Sequence, residues 1–93
     1  MIRGFGDSET ELLFREGRCP ARWQSFTSVA VRKLDHLDAA ARLADLRAPP
    51  GNRLEALKGD RKGQYSIRIN DQWRICFRWS AEGPLDVMIV DYH

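Results

Sequence analysis

The 93-residue sequence predicts an α+β domain, with an N-terminal strand and two helices packed on one face of a mainly antiparallel sheet. Hydrophobic residues recur every three or four positions through the first half, as in amphipathic helices, and alternate through much of the second half, as in strands. Residues 48–52, Ala-Pro-Pro-Gly-Asn, separate the two patterns and end helical structure. We expect a single domain over residues 1–93.

The composition is that of a globular protein, with 43% hydrophobic and 30% charged residues. No apolar run approaches the roughly 20 residues of a membrane span, and the N-terminus lacks the apolar core of an export signal. We therefore expect a cytoplasmic protein. Two cysteines, Cys19 and Cys76, do not make a disulfide framework, and Cys76 is expected to be a small buried apolar residue.

The first half predicts a short strand over residues 2–5 and a first helix. Ser8 and Glu11 have the spacing of a capping box, in which each side chain satisfies a free backbone N–H, and Gly17 suits the helix end. Pro20 suits the first turn of a second helix. That helix extends to about residue 44 or breaks near residue 38, with a separate turn over residues 43–46.

The second helix has one apolar stripe, typical of a helix packed on a sheet. The stripe is formed by Trp23, Phe26, Ala30, Leu34, Leu37 and Ala41. Its arginines lie off the stripe and could contact RNA, but core packing explains the helix better.

Four strands are expected after residue 52, over residues 53–57, 64–69, 73–79 and 85–90. Alternation places the apolar residues of the second and third strands on one face and Ser66, Arg68 and Arg74 on the other. The last strand is apolar apart from Asp86, which indicates a central strand covered on both faces.

Basic residues concentrate in the strand half. Residues 53–78 contain seven basic and three acidic residues, whereas residues 79–93 contain three acidic residues and no Lys or Arg. A local basic strip favours a polyanion, although charge alone is equally compatible with a solvated surface.

The sequence offers no metal-ligand spacing, because His36 and His93 have no Cys or His partners nearby. RNA can be cleaved without a metal if a base, an acid and phosphate-binding cations converge. Strand Arg and Lys residues could supply the cations, and the candidates for proton transfer are Glu55, Asp91, Tyr92 and His93. From the residues alone, a terminal histidine is more often an exposed bystander, and Arg74 could be only an edge charge.

Four motifs together resemble the RelE/ParE superfamily, and more narrowly its HigB-type toxins, the plasmid maintenance system killer proteins. They are LKGD at residues 57–60, YSIRI at 65–69, WRI with Phe77 at 73–77 and DYH at 91–93. The resemblance covers essentially the whole chain. It implies a RelE-like, microbial-RNase-type fold and a toxin of a type II toxin–antitoxin system. Its activity would be that of a ribosome-dependent endoribonuclease that cuts mRNA in the A site.

The resemblance also implies roles for individual residues. Lys58 and Arg74 would face the scissile phosphate, His93 would transfer protons, and Asp91 and Tyr92 would complete the catalytic group. Glu55 stands where some relatives have His, and a carboxylate does not replace an imidazole beside a phosphate. The remaining basic residues would bind RNA phosphates; they are Arg53, Arg61, Lys62, Arg68 and Arg78.

The implied partners are a HigA-type helix-turn-helix antitoxin, the small ribosomal subunit and mRNA, with operator DNA bound only through the antitoxin complex. No cofactor, metal or membrane partner is expected. Two alternatives stay open: a ParE-like inhibitor of DNA gyrase, and a non-catalytic RNA-binding module, which the scarcity of surface aromatic pairs disfavours.

Overall fold

The structure, a computed structural model, describes residues 1–92. Two α-helices and four strands form its framework: α1 (Ser8–Glu16), α2 (Thr27–Ala39), β1 (Glu55–Ala56), β2 (Tyr65–Arg68), β3 (Trp73–Ser80) and β4 (Gly83–Asp91). Short 3-10 helices lie at Ala21–Phe26, Leu43–Arg47, Pro50–Asn52 and Gly59–Arg61. The predicted α+β fold, with two helices packed on an antiparallel sheet, is confirmed.

The sheet has the order β1-β2-β3-β4, and every pair of neighbouring strands is antiparallel. Paired residues share a face, so the register Ile67 to Ile75 to Ile89 places three isoleucines towards the helices. The predicted faces of the β2–β3 hairpin are therefore correct. The predicted central position of the last strand is wrong, because β4 lies at an edge of the four-strand ladder.

The core lies between the helices and one face of the sheet. Each contributing element turns its apolar side inwards, and burial of this apolar surface drives the packing. Leu13 of α1 and Leu34 of α2 are buried in it with Trp23 and Phe26 of the first 3-10 helix. Trp73 of β3 packs on both aromatic rings, at centroid distances of 6.4 Å from Trp23 and 5.3 Å from Phe26.

The N-terminal segment runs beside β4 in parallel, but only the pair Phe5 and Val87 forms a bridge. Gly6 N donates to Val87 O at 2.8 Å, and Val87 N donates to Gly4 O at 3.1 Å. The strand predicted for residues 2–5 is thus shortened to one bridge. This segment nevertheless occupies the outer edge of β4.

Two helix predictions differ from the structure. The N-cap of α1 is Asp7, whose carboxylate accepts the Thr10 N–H at 2.7 Å, and not Ser8. The predicted second helix is divided into the 3-10 helix Ala21–Phe26 and α2, which ends at Ala39, so Ala41 is exposed. Gly17 ends α1 in the left-handed conformation, at φ 71°, as predicted.

Candidate active site

Arg74 lies on the sheet face opposite the helices, and its guanidinium group is held by two hydrogen bonds. Its Nε donates to Ser66 Oγ at 2.7 Å, and its Nη2 donates to the backbone carbonyl of Arg53 at 2.6 Å. Only 13% of the side chain is exposed. Because the planar guanidinium is fixed at two of its nitrogens, its orientation is set before any ligand arrives.

Local backbone geometry provides both acceptors. Arg68 pairs with Arg74 across β2 and β3, and Ser66 pairs with Cys76, so Ser66 and Arg74 are diagonal neighbours on one face. Ser66 is fully buried. Arg53 has a left-handed backbone at φ 46°, just before β1, and its carbonyl oxygen reaches the guanidinium of Arg74.

Glu55 and Tyr92 complete the surroundings of Arg74. Glu55 is opposite Ser66 in the ladder, and its Oε1 lies 3.6 Å from Arg74 Nη2, with half of the Glu55 side chain exposed. The guanidinium carbon of Arg74 lies 5.7 Å from the centre of the Tyr92 ring, within cation–π range. The arginine is thus flanked by a carboxylate and an aromatic ring.

The tail is attached to the connection between β2 and β3. Gln72 accepts the Tyr92 N–H on its backbone oxygen at 2.7 Å and donates from Nε2 to Asp91 Oδ2 at 3.0 Å. Asp91 is also the ladder partner of Trp73. Of the predicted catalytic tail, Tyr92 lies beside Arg74, Asp91 contacts Gln72 and pairs with Trp73 instead, and His93 lies outside the described residues.

Cys76 forms part of the floor of this face and is fully buried. Burial raises the pKa of its thiol, and the positive charges of Arg61 and Arg74 act in the opposite direction. Because burial is the larger effect, the thiol is held in its neutral form and is a poor nucleophile.

The remaining basic residues differ in their partners, and Arg61 Nη1 donates to Gln64 Oε1 at 3.4 Å. Arg68 is paired with Asp71, and Arg78 is paired with Asp86 at 3.4 Å. By contrast, the exposed side chains of three others have no hydrogen-bond or ion-pair partner within residues 1–92; these are Arg53, Lys58 and Lys62.

Lys58 follows the end of β1, where Leu57 N donates to Gln64 O at 2.9 Å. It begins the turn that contains the 3-10 helix Gly59–Arg61. Gly63 closes this turn at φ 92°, and a Cβ atom at Gly63 would lie 2.9 Å from Arg78 Nη1. The Lys58 turn and the Arg78 side chain of β3 therefore adjoin, and a larger residue at position 63 would displace the guanidinium.

Within residues 1–92, no three His, Cys, Asp or Glu side chains form a group that could hold a metal ion. In the same part of the chain, no helix has the length and apolar character needed to cross a membrane.

Residues 5–93 match the family of RelE-like toxins described as HigB toxins of type II toxin–antitoxin systems. The chain belongs to this family. The resemblance seen in the four sequence motifs is thereby confirmed.

Individual relatives agree with the family assignment. A 55-residue stretch, 59% of this chain, is 53% identical to Toxin HigB-1 of Vibrio cholerae, and a 65-residue stretch, 70% of the chain, is 43% identical to an uncharacterized Haemophilus influenzae protein. These stretches span 58% and 63% of the two relatives' own lengths. Endoribonuclease HigB of Proteus vulgaris is 29% identical over 93 residues, the full length of both chains.

The fold is also similar to that of a solved structure described as a YoeB/ParE toxin from Agrobacterium tumefaciens. The two chains superpose with a TM-score of 0.56 at 23% identity, over 99% of this chain and 98% of the other. This likeness shows that the two chains share a fold, which the family description identifies as RelE-like.

Two polar residues and one main-chain group of the site were missed from the sequence. Ser66 was placed on the polar face by alternation, but nothing indicated that it would be buried under Arg74. Gln72 lies in the connection between β2 and β3 and has no role expected from the sequence, yet it fixes Asp91 and Tyr92. The position of the Arg53 carbonyl depends on the left-handed backbone conformation of Arg53. Non-glycine residues adopt this conformation rarely, and no sequence pattern predicts it here.

Proposed function

We propose that this toxin is a cytoplasmic, ribosome-dependent mRNA endoribonuclease that stops translation by cleaving A-site mRNA without a metal. One observation carries the proposal: Arg74 is a pre-oriented guanidinium on the open face of the sheet, joined to Ser66, Arg53, Glu55 and Tyr92. Such a group stabilises charge on phosphate oxygens without reorganising during the reaction. Family membership and the name of the Proteus relative support the same activity.

In the proposed reaction, the 2′-OH of a ribose loses its proton to a base and its oxygen attacks the adjacent phosphorus. The bond from phosphorus to the 5′-oxygen breaks, and that oxygen receives a proton from an acid. The products are a 2′,3′-cyclic phosphate and a 5′-hydroxyl end. Negative charge increases on the non-bridging oxygens in the transition state, so nearby fixed cations accelerate the step.

Arg74 is proposed to bind these oxygens, and Lys58 to approach them as a mobile second cation. Lys58 suits this role because its exposed ammonium group has no other partner within residues 1–92. Tyr92 is proposed to orient a base or ribose beside Arg74. We assign proton transfer to His93, with Asp91 helping to hold the tail in place.

We propose that Glu55 acts as the counter-ion of Arg74 rather than as a proton carrier. Its carboxylate lies within ion-pair distance of the guanidinium and opposite Ser66 in the ladder. A carboxylate that neutralises Arg74 in the free toxin keeps the guanidinium aimed at the open face. It does not supply the imidazole that the chemistry uses.

The other basic residues are proposed to bind phosphates of mRNA or ribosomal RNA. Arg53 and Lys62 have no acidic partner among residues 1–92, whereas Arg68 and Arg78 would exchange Asp71 and Asp86 for RNA phosphates. Arg61, whose Nη1 lies 4.0 Å from Sδ of Met88, the ladder partner of Cys76, would also bind RNA phosphates. No cofactor takes part in this scheme.

The proposed partners are the small ribosomal subunit at the A site, mRNA and a HigA-type antitoxin with a helix-turn-helix domain. The toxin would reach operator DNA only within the antitoxin complex. The helix-turn-helix domain is proposed in addition to the antitoxin that a type II toxin–antitoxin family implies.

Inducible expression with mapping of mRNA 5′ ends tests the proposed function. The wild type should arrest growth and create new mRNA ends within translated codons, and Arg74→Ala and His93→Ala should create few or none. An outcome of growth arrest with DNA damage and no new mRNA ends would instead identify a gyrase inhibitor. Binding of RNA without new ends would identify a non-catalytic module.

A further inference from the structure

The two edges of the sheet differ in how they are protected. The outer edge of β4 is covered by the N-terminal segment, and Ile89 N donates to Thr10 Oγ1 of α1 at 3.0 Å. The opposite edge is β1, a strand of only two exposed residues. Unpaired backbone groups at a sheet edge are a template for pairing with another chain.

Beside β1 lies a groove of about 650 Å³. One wall is formed by the 3-10 helix Leu43–Arg47, through Leu43, Ala44 and Arg47. The other wall is formed by Leu54, Ala56 and Tyr65. Leu43, Leu54 and Tyr65 are only partly buried, so the groove exposes apolar surface that this chain leaves incompletely covered.

The charges at the groove all have the same sign. Arg47 and Arg53 line it, their side chains have no hydrogen-bond or ion-pair partner within residues 1–92, and no acidic residue lines it. Asp45 belongs to the same 3-10 helix but accepts the backbone N–H groups of Ala41 and Arg42, each at 3.0 Å. These two hydrogen bonds lower the pKa of Asp45, and the one from Arg42 has the larger effect. The carboxylate of Asp45 is therefore engaged within its own turn.

The backbone of β1 has hydrogen-bonding groups that point in a defined direction. Leu57 N donates to Gln64 O, and hydrogen-bonded and non-hydrogen-bonded pairs alternate along an antiparallel ladder. Ala56, which pairs with Tyr65, therefore turns its N–H and C=O away from β2 and towards the open edge of the sheet. An extended segment could pair with this residue while its side chains enter the groove.

We propose that this groove is the docking site of the antitoxin, and that the antitoxin occupies it with an extended segment carrying apolar residues and at least one carboxylate. The apolar residues contact Leu43, Leu54 and Tyr65, and the carboxylate pairs with Arg47 or Arg53. We choose this occupant because the groove is positively charged and lies beside the open edge of the sheet. The proposal rests on the toxin's role in its toxin–antitoxin system and not on the RNA-cleaving chemistry.

The site and the groove share one residue. Arg53 lines the groove, while its carbonyl accepts a hydrogen bond from Arg74. An antitoxin carboxylate bound to Arg53 would remove one of the unpaired cations proposed to bind RNA. Docking at the groove would thereby weaken RNA binding without covering Arg74.

The test uses the antitoxin encoded beside the toxin gene, titrated calorimetrically into purified full-length toxin. Arg47→Glu reverses a groove charge, and Ala44→Glu places a carboxylate on the groove wall. Arg32→Glu is the matched control, because Arg32 is an exposed helical arginine that does not line the groove. Each groove variant should bind the antitoxin at least about tenfold more weakly, and the control within about twofold of wild type.

Melting temperatures close to that of wild type verify that the variants fold. The free Arg47→Glu and Ala44→Glu toxins should cut mRNA at the wild-type rate, since neither residue belongs to the proposed site. Unchanged antitoxin affinity in both groove variants would overturn the proposal, as would a wild-type dimer in light scattering that these variants abolish. Failure of all toxins to cut mRNA would refute the nuclease function and leave the docking result interpretable.

Discussion

Arg74 Nε donates a 2.7 Å hydrogen bond to the hydroxyl of Ser66, a side chain with no solvent exposure. A strand arginine on the polar face of a hairpin is expected from sequence to add little to the folded structure. Here it is largely covered, and it satisfies both a buried hydroxyl and the Arg53 carbonyl. Arg74 is thus part of the fold as well as of the candidate site.

Ser66→Ala should lower kcat for mRNA cleavage about tenfold and leave KM nearly unchanged. The substitution removes one of the two groups that orient the guanidinium, and hydrogen bonds to charged groups contribute about 1.5–3 kcal/mol. Single-turnover cleavage on programmed ribosomes provides the measurement. Ser80→Ala is the control, because Ser80 Oγ donates to Gly83 O at the far end of β3. A wild-type kcat in Ser66→Ala would exclude a positioning role.

Glu55→Gln should change the cleavage rate by less than about tenfold and leave the shape of the pH–rate profile intact. Glutamine keeps the size of glutamate and removes only its charge, so the loss of a counter-ion should have a small effect on the cleavage rate. Loss of a general base would instead slow cleavage about 10²- to 10⁴-fold. The pH–rate profile of the purified toxin distinguishes the two roles. A loss beyond 100-fold, together with loss of the acidic limb of the profile, would show that Glu55 carries a proton.

Cys76 should resist alkylation by iodoacetamide at pH 8 in the folded toxin and react only after unfolding. Burial raises the pKa of its thiol, so the native state retains the proton. The resulting contribution to stability is complete below the ordinary pKa of 9.0 and declines as the pH rises through the higher native value. Mass spectrometry with half-buried Cys19 as the internal comparison measures this, and equal labelling of both residues would contradict it.

Asn52→Ala should lower the free energy of unfolding by about 3 kcal/mol, because it leaves a buried ammonium group without its acceptor. Asn52 Oδ1 accepts from Lys33 Nζ at 2.6 Å, and its Nδ2 donates to Leu46 O at 3.1 Å. Asn70→Ala in the exposed turn is the control and should cost about 1 kcal/mol. Urea denaturation measures both values, and equal losses would refute a special role for the buried amide.

The faces of the β2–β3 hairpin could be predicted because they follow from period-two alternation, which burial on one side enforces. The register Ile67 to Ile75 and the opposite face with Ser66, Arg68 and Arg74 are instances of this rule. The first helix end could also be predicted, since Gly17 has the positive φ that favours glycine.

The features that could not be predicted depend on contacts between distant parts of the chain. The short β1, the position of β4 at an edge and the break before α2 are tertiary outcomes that local propensity does not encode. The same holds at the site. Its cations could be named from the motifs, but the acceptors that orient Arg74 lie 8 and 21 residues away from it.

The most direct test of the central claim is the rate of A-site mRNA cleavage by Arg74→Lys compared with Arg78→Lys, on the same purified ribosomes. Both changes keep a positive charge on the polar face of β3, but only the first removes the guanidinium held by Ser66 and Arg53. The account predicts a loss of at least about 100-fold for Arg74→Lys and a change within a few-fold for Arg78→Lys. Equal rates for the two variants would contradict it.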